Sequence, residues 1–150
     1  MSEGTSERSR DLFLSGFYCA ESVLLSIAED RDIHSDLIPM IATGFCSGQG
    51  RGGDQCGALS GGIMGISLII GRRSHDESVE ETFTTVRKLI EGFRERFGAT
   101  SCKELIMCDL NTDEGQAEFI HKNHLETCAQ FCAGTTELTL TILDSRDENQ

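Results

Sequence analysis

Residues 79–98, VEETFTTVRKLIEGFRERFG, decide the fold. Val79, Phe83, Val86, Ile90, Phe93 and Phe97 step by four, three, four, three and four. That period lays an apolar stripe along one side of an α-helix and leaves the charged residues on the other. The stripe faces a core, and Gly98 ends the helix.

Outward from this segment the chain reads as a succession of helices. Upstream, residues 56–70 predict a buried helix in which Gly57, Gly61 and Gly65 recur every four residues and share a face. Glycine costs roughly 1 kcal/mol against alanine inside a helix, so three of them predict a close approach by another helix or by a cofactor. Further upstream the reading gives helices at 6–15 (capped by Thr5 or Ser6 and broken at Gly16), at 18–30 (with Val23, Leu24 and Ile27 on its apolar face) and at 36–43 (capped by Ser35). Downstream come a short turn at 101–107 capped by Ser101, a helix at 113–122 and a last helix at 125–143. One proline and few alternating apolar runs argue against sheet. The expectation is an all-α, compact single-domain bundle of about six to seven helices over 1–143. A glycine-rich loop precedes its central helix, and 144–150 form a disordered polar tail.

Thirteen basic residues against 25 acidic give a net charge of −12. This argues against binding to nucleic acid or to an anionic membrane surface, both of which need clustered positive charge. The N-terminus lacks a signal-peptide pattern, and the most apolar run, residues 58–70, is shorter than the ~20 residues of a membrane span. The expected location is cytoplasmic.

Seven cysteines, at 19, 46, 56, 102, 108, 128 and 132, dominate the chemistry. In a reducing compartment such a set points to metal or redox work more than to structural disulfides. Cys56 follows the run Gly44, Gly48, Gly50, Gly52, Gly53 and opens a predicted helix. Cys19, Cys102 and Cys128 are also placed near predicted helix starts. Backbone N–H groups there stabilise a thiolate, so converging ends would lower the thiol pKa values.

These residues carry a resemblance. Residues 16–23 (GFYCAESV), the run 44–51, Cys56-Gly57-Ala58-Leu59-Ser60-Gly61, Phe97-Gly98 with Ser101-Cys102-Lys103-Glu104-Leu105, and Cys128 together resemble the small redox-active proteins named for their C-GCAxxG-C-C cysteine pattern. That family is found largely in anaerobic bacteria and archaea, and a related domain occurs in an iron–sulfur-containing cytochrome. The resemblance covers roughly residues 12–143. It implies that Cys19, Cys56, Cys102 and Cys128 are the shared cysteines, while Cys46, Cys108 and Cys132 are additions. Cys46 stands where the family leads one to expect a small residue, often glycine.

Four thiolates suit an iron–sulfur cluster, [2Fe–2S] or [4Fe–4S], with one-electron transfer to a redox partner protein. The glycine loop would let backbone N–H groups approach it; Arg51, a cation in that loop, Cys46, and Gly57 and Gly61 of the motif are additional candidates for contact with it. The alternative is thiol–disulfide exchange with Cys56 as nucleophile and Cys19 or Cys46 resolving. A third reading is zinc on His121, His124, Cys128 and Cys132, spaced three, four and four, although a predicted break near Asn123 weighs against it. A fourth is a helical module binding an anion or small ligand at the start of the Cys56 helix. A glycine-lined surface with thiols near loops would also suit a homodimer.

Overall fold

Residues 2–148 are described by a computed structural model, and they hold eight α-helices and no named strand. In chain order these are α1 (Ser2–Ser15), α2 (Cys19–Asp30), a 3-10 helix (Met40–Phe45), α3 (Cys46–Gly50), α4 (Gly57–Ile70), α5 (Glu80–Phe97), α6 (Cys102–Ile106), α7 (Asp113–His121) and α8 (His124–Glu148). The all-α expectation holds.

Helix α4 occupies the centre and packs against α2, α5 and α8. Its glycines permit this. A Cβ on Gly61 would lie 2.8 Å from Ala20 O and 3.0 Å from Val23 Cβ, and one on Gly65 would lie 2.7 Å from Ile27 Cδ1. The close approach that these glycines predict is therefore α2, at Gly61 and Gly65 alike. Gly62, on the other side, admits Thr135 and Thr139 of α8.

The stripe of α5 is a core face, with a correction. Phe93 is fully buried and Phe97 partly so, but Phe83 is 53% exposed. The deepest line is Thr85, Leu89 and Phe93, at spacing four, with Val86 and Ile90 packed beside it. Phe93, Phe97 and Phe131 form an aromatic triad with centroids 4.9 Å apart for Phe93–Phe97 and for Phe97–Phe131. Such edge-on pairs add to the ~1.5–3 kcal/mol that burial of each ring supplies, and they fasten α5 to α8.

Several boundaries differ from expectation. Helix α1 begins at Ser2, so Thr5 and Ser6 are internal, not caps; Thr5 Oγ1 donates instead to Asp30 Oδ1 at 2.6 Å. Residues 36–43 do not form an α-helix: turns lead into the 3-10 helix, because Pro39 offers no N–H and disfavours helical backbone at Ile38. The tail expected to be disordered from Asp144 continues α8 through Glu148. Asp144 accepts from Arg31 at 2.8 Å, and Arg146 pairs with Glu81. Asn149 and Gln150 lie outside the described residues.

Candidate functional site

Cys56 is the N-cap of α4, and Cys102 is the first residue of α6. Two short backbone contacts bring them together. Cys56 N donates to Thr100 O at 2.7 Å and Cys102 N donates to Asp54 O at 2.6 Å, flanking an antiparallel bridge between Gln55 and Ser101. The Ser101 hydroxyl then accepts from Glu104 N at 3.1 Å and starts α6, as expected from the sequence.

The loop before this clip is under unusual backbone constraint. Ser47, Gly48, Gln49, Gly50 and Arg51 all have positive φ, so α3 is a left-handed turn. Each non-glycine residue there costs roughly 1–2 kcal/mol. Gly48 is required twice over: its φ is 67°, and a Cβ would meet Cys102 Cβ at 2.6 Å. The turn wraps around the start of α6 and aims Ser47 and Arg51 at the same space as the cysteines.

That space is a cavity of about 270 Å3. Cys19, Cys56, Cys102 and Cys128 all line it, from α2, the N-cap of α4, α6 and the first turns of α8. Its remaining wall is largely apolar and includes Phe13, Leu105, Leu110, Phe119, Leu125 and Phe131, with Tyr18, Arg51 and Ile120 at exposed positions. All seven cysteines are free thiols. A larger groove, about 530 Å3 between the 3-10 helix and α4, contains no cysteine.

The other singled-out residues separate cleanly. Gly57 lines the cavity, and a Cβ there would collide with Cys19 Sγ and lie 3.0 Å from Phe45 O. Gly61 is off the cavity, against α2. Cys46 is buried behind the wall; its thiol donates to Ala42 O at 3.6 Å and faces the Cys19 sulfur and the Glu21 N–H. Cys132 is buried one turn beyond Cys128 and directs its thiol at Cys19 O, 3.9 Å away. Cys108 is buried within influence of Cys102 and Cys128 but is off the cavity wall.

Electrostatically the thiols do not behave as four helix starts predict. Burial pushes Cys56 up to about 11, outweighing the N–H groups of Ala58 and Leu59 that point at its sulfur. Burial likewise pushes Cys102 up to about 11, with Cys108 adding to it. Cys128 is raised by burial, then by Cys56 and Cys102. The expected lowering is thus overturned for these three: desolvation of a thiolate among apolar side chains exceeds the benefit of a few backbone dipoles. Without a positive partner they are protonated at neutral pH.

His121 and His124 do not share a helix. Asn123, with φ 57°, breaks α7 from α8 between them. Among the described residues no group of three or more histidine, cysteine, aspartate or glutamate side chains is arranged around a single metal ion. The His-His-Cys-Cys zinc arrangement is therefore not formed. The described helices also include none long and apolar enough to cross a membrane.

Comparison with known proteins gives one match. The family model described as "Putative redox-active protein (C_GCAxxG_C_C)" matches residues 17–142. No curated protein matches, and no solved structure does. Around the second cysteine the chain reads Gln55-Cys56-Gly57-Ala58, with glycine after the cysteine where the pattern's name writes it before. In this fold that following glycine is the one that makes room for Cys19 Sγ.

Proposed function

The chain belongs to the C_GCAxxG_C_C family of redox-active proteins, and on that premise we propose that it holds an iron–sulfur cluster through Cys19, Cys56, Cys102 and Cys128 and passes single electrons to a partner protein. One observation carries the reading: four cysteines from four separate elements line one cavity. The donor set is all thiolate, which is what iron–sulfur clusters take. The cavity that they line has room for a group of several atoms, about 270 Å3. When bound, the cluster supplies a one-electron couple.

The chain's own residues account for the rest. The largely apolar wall lowers the dielectric around the buried cysteines Cys56 and Cys102. The N–H groups of Ala58 and Leu59 point at Cys56 Sγ and stabilise negative charge on it. Arg51, exposed at the cavity, offsets part of the charge of four thiolates. Each thiol gives up its proton on binding, so the raised values at Cys56 and Cys102 make loading proton-releasing. The same values disfavour Cys56 as a free nucleophile. At pH 7 a thiol of pKa about 11 is thiolate in roughly one molecule in ten thousand.

The test is a reductive titration of anaerobically purified protein followed by visible absorption. The reading predicts a charge-transfer band that bleaches on reduction and returns on reoxidation. Colourless protein that takes up no electrons would contradict it.

A further inference from the structure

One of the four cavity cysteines, Cys19, also has a thiol neighbour off the cavity wall, Cys46, whose thiol faces the Cys19 sulfur. The two meet over Gly57: a Cβ on that residue would collide with Cys19 Sγ and lie 3.2 Å from Cys46 Cα. Cys19 also packs against the small cluster formed by Ala20, Leu24, Ala42 and Cys46. The segments are braced together, since Glu21 accepts from Tyr18 N at 2.9 Å and from Thr43 Oγ1 at 2.8 Å. Cys132, the other thiol near Cys19, points at its carbonyl and not its sulfur.

We infer that Cys19 and Cys46 form a disulfide under hydroperoxide, a link that occupies one sulfur of the cavity wall. Cys19 is partly exposed and lines the cavity, so it is the sulfur that a small oxidant reaches, while Cys46 is buried behind it. In the first step the Cys19 sulfur attacks one oxygen of hydrogen peroxide. The O–O bond breaks, one water leaves with the thiol proton, and Cys19 becomes a sulfenic acid. In the second step Cys46 Sγ, whose proton is held on by the Cys19 sulfur and by burial, attacks the Cys19 sulfur as that proton passes to the departing oxygen. The S–O bond breaks, the S–S bond forms, and a second water carries away the Cys46 proton. Two thiols lose two electrons and two protons, and one peroxide takes up both as two waters. The link itself requires no cluster; its consequence for the cavity rests on the cluster reading.

The chain suits a direct test. Cleavage after lysine and arginine places Cys19 alone in the peptide 11–31 and Cys46 alone in the peptide 32–51, with Cys56 in 52–72. Metal-free protein is treated with hydrogen peroxide, its remaining thiols are alkylated, and the digest is mapped by mass. The expected product is 11–31 joined to 32–51 with the loss of two hydrogens. In Cys46→Ser that product disappears, and Cys19 is trapped as a sulfenic acid by a 1,3-diketone. Joining of 11–31 to any other cysteine peptide, or alkylated Cys19 and Cys46 after treatment, would overturn the inference. Native protein that carries no iron would sink the cluster reading and leave this map unchanged.

Discussion

Gly57 and Cys19 share one space: the position that a side chain on Gly57 would take is filled by Cys19 Sγ, with Cys46 Cα 3.2 Å from it on another side. The absence of a Cβ at the start of α4 is therefore what allows a sulfur from α2 to reach the cavity that Cys56 borders. Packing at one atom links the helix layout to the chemistry.

Gly57→Ala should displace Cys19 Sγ, because two of the three nearest neighbours are backbone atoms that yield less easily than a thiol. The expected cost is about 1–3 kcal/mol of stability together with a loss of bound iron. Gly61→Ala is the control. It meets Ala20 and Val23, so it should lower the urea midpoint while the folded fraction keeps its iron content. Equal iron loss in both variants would contradict this assignment.

Phe93 is fully buried and touches both Phe97 and Phe131, the latter on the cavity wall. Phe93→Ala should cost about 3–5 kcal/mol in chemical unfolding. Phe83→Ala, half-exposed on the same helix, should move the midpoint little.

In metal-free protein, Cys56 and Cys102 are held protonated from their ordinary value of 9.0 up to about 11. Between those values the unfolded chain has lost thiol protons that the folded chain keeps. Stability is thus fully present below about pH 9 and is lost as pH rises toward about 11. Urea midpoints measured across that window should fall, and fall less steeply in Cys56→Ala. Midpoints that rise above pH 9 would contradict the direction of the shifts.

Ser101 caps the short helix that presents Cys102. Ser101→Ala should cost about 0.5–2 kcal/mol and speed the release of iron to a chelator. Ser101→Asp, which can accept the same N–H, should restore retention; slow release from the alanine variant would show that the cap does not hold Cys102 in place.

What the sequence made legible was local. The end of α5 at Gly98 (φ 91°), the Ser101 cap, the break at Asn123 and the glycine face of α4 each follow from a few neighbouring residues. What it concealed was tertiary. The early start of α1 and the late end of α8 rest on partners more than twenty residues away, such as Thr5 with Asp30 and Arg31 with Asp144. The left-handed run at 47–51 includes Ser47, Gln49 and Arg51, side chains that do not favour positive φ, so no local signal announces it. Predicted helix starts and the family resemblance singled out Cys19, Cys56, Cys102 and Cys128 as candidates, but not their convergence on one cavity, nor the depth of burial that raises Cys56 and Cys102 against their helix ends.

The central claim is that four thiols from four elements hold one cluster, and the most direct measurement is iron and acid-labile sulfide per chain in anaerobically purified protein and a set of serine variants. Wild type should carry iron and sulfide in matching amounts. Cys19→Ser, Cys56→Ser, Cys102→Ser and Cys128→Ser should each lose most of both while remaining helical, and Cys108→Ser should retain them. Iron-free wild-type protein, or variants at the four positions that keep a full complement, would contradict the account.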